Sequence, residues 1–283
     1  MLPIVVLLTD TTGNYSRMKD VAKSRDKRGV SIQRVGIKDL HLPLLIKQKD
    51  NGFQSVLASV TLGVELPKHY RGTHMSRLVE TVFKWSQKPL GGHDVKLILQ
   101  QVRKRLNASR VHIQVKFKYF LEKLAPVSGS ISALDYDCEF DGSLSDAGFD
   151  FILGVEVPIT TVCPCSKSIS ERGAHGQRGV IRAKIRYARY AFCWIEDLVA
   201  RLEKVGSCDI YPLLKRRDEK YVTEKSFDSP KFVEDVLRDA IIALRSDPNV
   251  LWYELECENF ESIHNHSAYA YQCEWRQNWE KQA

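Results

Sequence analysis

The 283-residue chain is 43% hydrophobic and 27% charged, with a formal net charge of +7 and a pI near 9.0, a balance that suits an anionic partner such as a nucleotide or phosphate ester. It contains no run of about 18 apolar residues, and its cations are scattered apart from short clusters such as Lys215-Arg216-Arg217. A membrane-spanning helix is thereby excluded, and with no RNP-like aromatic motif or zinc-finger spacing, neither a membrane nor a nucleic-acid partner is expected. The apolar run at 3–8 has no basic segment before it and is short for a signal peptide, so the cytoplasm is the expected compartment.

In chain order, alternating apolar residues predict a strand over 55–66, ending at Pro67. Helical spacing follows at 75–87 and at 93–106, where Leu97, Ile98, Val102 and Leu106 share a side. Val111, Ile113, Val115, Phe117 and Tyr119 then alternate without a break, the signature of a half-buried antiparallel strand. Asp- and Gly-rich turns are expected at 141–148. From 149 the pattern restarts: a strand at 149–158, another at 180–190, helices at 194–205 and 231–245, and strands at 250–257 and 267–274. LGVEVP at 153–158 echoes LGVELP at 62–67, and each is followed by a loop holding Ser76-Arg77 or Ser166-Lys167. The pattern predicts an internal duplication: two sheet-and-helix halves in an α+β architecture, antiparallel sheets with helices on one face. Exposed sheet edges in such halves are commonly covered by oligomerising.

The chemistry concentrates in VCPCSKSISERGAHGQR, residues 162–178. Seven cysteines without framework spacing read as thiols, and a Cys163–Cys165 disulfide would close a strained small ring. Cys138, Cys193, Cys208, Cys257 and Cys273 read as small buried apolar residues. Cys163 and His175 offer a thiolate and an imidazole, good ligands for zinc and other late transition metals, and the flanking Gly173 and Gly176 let the loop bend them together. The spacing is too tight for a closed zinc knot, so an open site, or a loop with no metal, remains. ENFESIHNH, residues 258–266, adds Glu261, His264 and His266 as ligands or acid–base groups, although such a stretch by itself also fits a solvated loop. LKRRDEKYVTE, 214–224, reads as a charged surface loop whose cations could cradle phosphate and whose Glu219 could be a further ligand. Glu234 reads equally as a first-turn acid favoured by the helix dipole.

Taken together, CPCSKSIS, GAH and QR, with LPKHYRGTHMSR (66–77), LKRRDEKYVTE and ESIHNHSAYAY (261–271), closely resemble GTP cyclohydrolase IB, the bacterial-type enzyme that opens pterin and folate synthesis. The resemblance runs from about Gly29 to the end. It implies a bimodular tunnelling fold (T-fold), assembled as a homotetramer with active sites at subunit interfaces. It also implies three segments: 1–17 as a leader, with Met18 the initiator; 18–148 as a first T-fold half; and 149–283 as a second half carrying most of the metal site. The implied reaction is that of a hydrolase acting on a cyclic amidine: GTP and water give 7,8-dihydroneopterin triphosphate and formate, through metal-activated water attack at C8. Position by position, Cys163, His175, Glu219 and Glu261 resemble the ligands of one divalent metal (Mn2+, Fe2+ or Zn2+). Cys165 and His264 join Cys163 as catalytic groups, and Glu234 resembles the carboxylate that holds the guanine edge. Lys167, Arg178, His74, Ser76 and Arg77 become candidates for the triphosphate. Gly176 departs from the family, where a more polar residue is expected. A relative yielding a cyclic phosphate, a T-fold enzyme with a cysteine nucleophile and a non-enzymatic nucleotide-binding module share parts of this pattern.

Overall fold

The structure is a computed structural model that describes residues 21–22, 24–189 and 191–279; the expected leader, 1–17, and Met18 lie outside the described residues. The chain runs β1 (Ile32–Lys47), β2 (Phe53–Leu66), α1 (Met75–Ser86), β3 (Pro89–Leu90), α2 (Gly92–Leu106), β4 (Val111–Leu124), β5 (Ile131–Ser145), β6 (Gly148–Val162), α3 (Pro164–Ile169) and β7 (Gly176–Tyr187). It continues through α4 (Ile195–Glu203), β8 (Cys208–Asp209), α5 (Arg216–Asp228), α6 (Val233–Arg245), β9 (Val250–Asn259), β10 (Ala268–Trp275) and α7 (Arg276–Trp279).

Among the described residues the strands form one sheet in the order β10-β9-β7-β6-β5-β4-β2-β1-β3, with β8 paired to β6. Every long pairing is antiparallel. The alternation along β4 decides which face is inside: Val111, Ile113, Val115, Phe117 and Tyr119 are all buried beneath the helices. α2 packs on β4 and β5, α4 on β6, and α6 on β9 and β10. One hydrophobic cluster runs through both halves, from Leu44 to Cys257. The opposite face carries cross-strand charge pairs: Lys118 with Asp135 at 2.8 Å and Asp137 at 3.0 Å, and Arg182 with Glu256 and Glu258 at 2.8 Å each. This is the α+β T-fold architecture, with helices on one face of an antiparallel sheet. No helix among the described residues is long and apolar enough to cross a membrane.

Chain order within the sheet shows two units of hairpin, helices and hairpin: β1-β2 with β4-β5, then β6-β7 with β9-β10. In that scheme β2 corresponds to β7 and β6 to β1. The LGVELP/LGVEVP echo therefore matches two strands that do not correspond, because both hexapeptides record burial on a long central strand and not common position. Neither pair expected in a loop is in one: Ser76 and Arg77 belong to the first turn of α1, whereas Ser166 and Lys167 belong to α3, inside the β6–β7 hairpin.

Strand direction then sets a distance. Val64 pairs with Val111, Val111 with Leu144 and Leu144 with Phe149, so the end of β2 lies level with the start of β6. The 15 residues of β6 carry the chain to the opposite end of the sheet, roughly 45 Å away along a straight strand. The β2–α1 loop and the β6–β7 loop thus occupy opposite ends of the protomer.

Two expectations change. The turns expected at 141–148 shrink to residues 146–147, because Asp141 and Ser143 belong to β5. The acidic face of that strand is matched across β4: Gln114 donates to Glu139 at 2.7 Å, and His112 lies 3.0 Å from Asp141. The charged 214–224 stretch is mostly helix: α5 starts at Arg216.

Candidate active site

The β6–β7 hairpin is held shut by its own small polar groups. The Cys163 amide donates to the His175 carbonyl at 3.0 Å. Ser166 then joins the two sides: its hydroxyl donates to the Cys163 carbonyl at 3.1 Å and accepts from the His175 amide at 3.2 Å. Cys163 is the N-cap of α3, its sulfur accepting from the Ser166 amide at 3.5 Å, and Pro164 supplies the first helical residue. The bend expected from two glycines comes from one. Gly173 has φ +147°, whereas Gly176 is the extended first residue of β7, paired with Val162.

This closure sets Cys163 and His175 side by side, as expected. His175 Nδ1 lies 3.0 Å from Gln177 Oε1 and 3.9 Å from Glu261 Oε2, and Gln177 Nε2 lies 3.5 Å from Glu261 Oε1. Glu261 arrives there because the Phe260 amide donates to the Arg178 carbonyl at 2.8 Å, holding the chain after β9 against β7. Gln177, 8% exposed, was not singled out from the sequence. The available signal was parity: it stands two residues from His175 at the start of a strand, so the two side chains leave the same face.

The other candidates are more dispersed. Lys167 reaches the C-terminal end of α5, donating to the Phe227 carbonyl, with its ammonium 4.2 Å from the Phe227 ring centroid. The Lys231 amide donates to the Val162 carbonyl at 3.0 Å. That contact places the first turn of α6, with exposed Glu234, at the same end of the sheet as Cys163. Cys165, Arg178 and His264 are exposed. The 258–266 stretch is neither a helical turn nor a strand beyond Asn259; His264 and His266 stack instead, 5.0 Å between ring centroids. Glu219 is exposed on the first turn of α5, eight residues and about 12 Å along the helix from Phe227. His74, Ser76 and Arg77 lie at the far end of the sheet. There His74, Arg77 and Arg105 line a cavity of about 190 Å³ together with Tyr70, Thr73 and Asn107.

Among the described residues no three His, Cys, Asp or Glu side chains are gathered to hold a metal ion. The donor set nevertheless fits one: a sulfur, an imidazole and a carboxylate are brought to one hairpin end, with the imidazole's Nδ1 already engaged. All seven cysteines are free. Burial pushes the Cys257 thiol up to about 12 and the Cys193 thiol up to about 11, so both stay protonated and unreactive. Cys138, Cys208 and Cys257 are buried as expected, Cys193 is half-buried, and Cys273 is exposed on the edge strand β10.

Asp218 anchors α5. Its carboxylate accepts from the amides of Val127 at 2.9 Å, Ser128 at 2.7 Å and Lys215 at 2.8 Å, joining the helix to the β4–β5 turn. Burial would raise its pKa, but the hydrogen bonds from Ser128, Lys215 and Val127 outweigh that and hold it well below the usual carboxylate range. A depressed folded-state pKa contributes stability above the unfolded value of about 3.9 and loses it as pH falls through the folded one. Asp218→Ala should therefore lower the thermal midpoint at pH 7 by at least about 2 °C. The difference should shrink progressively below about pH 4; calorimetry from pH 7 to pH 2.5 checks both.

A family model described as type I GTP cyclohydrolase folE2 matches residues 18–270. The GTP cyclohydrolase FolE2 of Geotalea uraniireducens is 47% identical over 253 residues, 89% of this chain and 92% of that protein. The FolE2 of Maridesulfovibrio salexigens is 48% identical over 253 residues, covering 89% and 98%.

This chain belongs to the FolE2 family of type I GTP cyclohydrolases.

As a FolE2 member it shares its fold with distant solved structures. The uricase of Arthrobacter globiformis superimposes with a TM-score of 0.54 at 8% identity, covering 87% of this chain and 94% of that one. The uricase of Bacillus fastidious gives 0.53 at 9%, covering 90% and 96%. At such identities the likeness concerns architecture alone. The FolE2 match spans the sheet as far as the first residues of β10, and every candidate residue from His74 to His264.

Proposed function

We propose that this FolE2 protein is a GTP cyclohydrolase of the IB type, converting GTP and water to 7,8-dihydroneopterin triphosphate and formate as the first step of tetrahydrofolate and pterin synthesis. The observation that carries the reading is the Cys163–His175–Gln177–Glu261 arrangement at one hairpin end, in a chain whose family match spans all of these residues. Cys163, His175, Glu261 and Glu219 hold one divalent cation, Mn2+, Fe2+ or Zn2+. When bound, the cation supplies a Lewis acid that brings the pKa of water from 15.7 towards about 7.

The protein's own groups do the rest. Glu234, exposed at the start of α6, accepts two parallel hydrogen bonds from N1–H and the 2-amino group of guanine, a pattern adenine does not offer. Bound in that way, C8 is presented to the hairpin end. His264, on the loop beyond Glu261, moves protons as the imidazole ring opens and formate leaves, and Cys165 lies beside C8 as its polar partner. Lys167 and Arg178, with His74, Ser76 and Arg77, bind the triphosphate.

The last three cannot reach the hairpin end of their own protomer, because β6 separates the two loops by its whole length. The reading therefore includes a homotetramer with active sites shared between copies. It also includes a division into halves at 18–148 and 149–283, supported by the two hairpin–helices–hairpin units, and a cytoplasmic location.

Formate release from GTP by chelator-stripped protein, with manganese, iron(II) or zinc added back, tests the reading. Metal-dependent formate, with equimolar neopterin fluorescence after oxidation and dephosphorylation, is the expected result. GTP bound without formate under any of the three metals would overturn it.

A further inference from the structure

Gln177 is a buried amide whose place in the sheet does not require its side chain. Its residue pairs with Thr161 across the β6–β7 ladder, so the backbone is satisfied whatever the side chain is. The side chain, 8% exposed, points instead between His175 and Glu261. A buried primary amide costs stability unless its oxygen and nitrogen both find partners, and here one faces each neighbour: Oε1 at 3.0 Å from His175 Nδ1, Nε2 at 3.5 Å from Glu261 Oε1.

The hydrogen-bond inventory of the three groups gives this arrangement a direction. A carboxylate is an acceptor, so Glu261 accepts a hydrogen bond from the amide nitrogen. The amide oxygen is then turned to His175 and it too only accepts, so Nδ1 must carry the ring proton. A neutral imidazole protonated on Nδ1 has its lone pair on Nε2. Reversing the amide would set its oxygen against the Glu261 carboxylate, and the NH₂ against Nδ1, leaving two acceptors face to face in a buried site.

From this geometry we infer that Gln177 is a positioning residue. It fixes His175 in the Nδ1–H tautomer, frees Nε2 for a divalent cation, and ties the ring to Glu261 through one amide. The inference rests on the metal-dependent reading above, but it concerns the hairpin before any metal or substrate arrives. Supporting partners of this kind carry about 10–100-fold in metal affinity.

A neutron structure of the chelator-stripped wild-type protein, grown above pD 8, reads the proton directly. The expected result is deuterium on His175 Nδ1, none on Nε2, and the Gln177 ND₂ group facing Glu261. Any deuterium on Nε2, or a reversed amide, overturns the inference. The wild-type measurement stands even if a variant fails to fold.

Manganese affinity, measured by competition with a chromophoric chelator, supplies the second arm. Gln177→Met, which keeps the volume and removes both hydrogen bonds, should weaken binding about 10–100-fold. Wild-type affinity in Gln177→Met overturns the inference. Formate release by the wild type is scored separately: an Nδ1–H tautomer with no turnover would sink the cyclohydrolase reading alone, and turnover with an Nε2–H tautomer would sink this one alone.

Discussion

Alanine at Cys163 or at His175 is expected to remove bound metal and turnover together. The two residues are bonded back to back across the mouth of the hairpin, Cys163 amide to His175 carbonyl at 3.0 Å, and this bond involves no side chain. The Ser166 hydroxyl that cross-links the same turn also bonds to backbone groups, at 3.1 and 3.2 Å. Truncating either side chain therefore leaves the hairpin's backbone closure intact, and removes with the metal donor only the Cys163 sulfur's contact with the Ser166 amide or the His175 ring's contact with Gln177. Loss of a ligand should exceed the roughly 10–100-fold that loss of a supporting partner costs. Metal content after gel filtration should fall well below one per chain, and formate release should drop to background. Circular dichroism should be unchanged. Wild-type turnover in either variant would remove that residue from the ligand set, and with it the assignment of VCPCSKSISERGAHGQR as a metal site.

The second large effect concerns two variants, one impaired and one inactive alone, that regain activity together. Arg77 borders the cavity shared with His74 and Arg105 and donates to the Arg105 carbonyl at 3.4 Å. Arg77→Ala should lower kcat/KM for GTP on the order of 10–100-fold, the scale of a lost charge-assisted contact to phosphate. Cys163→Ala should be inactive for the reason just given. The sheet register places the two defects at opposite ends of one protomer, so a shared site draws each end from a different copy. Random co-assembly of equal amounts of the two variants then leaves about a quarter of the sites with both ends intact. Co-expressed, differently tagged subunits purified through both tags should regain activity well above the sum of the separate variants. Activity equal to that sum would mean that each protomer works alone, and the triphosphate assignment of His74, Ser76 and Arg77 would fall.

Periodicity made the helices and most central strands readable. α1, α2, α4 and α6 each expose one face and bury the other, and β4 alternates through Tyr119. β1 was not readable. Its register shifts between Ile32 and Val35 and again between Ile37 and Leu40, and Asp39 adopts φ +53°. Each irregularity inserts a residue and breaks the two-residue period on which such a reading depends. α5 was hidden for another reason: only Asp218 and Ser226 of its side chains are buried. It is held by hydrogen bonds to the β4–β5 turn, which is remote in sequence, so it shows no apolar stripe.

The candidate site divides in the same way. By itself the sequence determined the chemistry: a thiol and an imidazole twelve positions apart in a glycine-bearing loop, a carboxylate and histidines near the end, and motifs in family order. Those facts are local, because a ligand's identity and its spacing along one hairpin are properties of the chain. Only the tertiary structure decided which groups meet. It showed Gln177 standing between His175 and Glu261, Glu219 far along α5 from the Lys167 contact, and Ser76-Arg77 of α1 at the opposite end of the sheet from the Ser166-Lys167 pair that they echo. The physical reason is strand direction. Antiparallel neighbours reverse the chain at every turn, so two similar segments on β2 and β6 point to opposite ends, and no pattern within either segment records which way it runs.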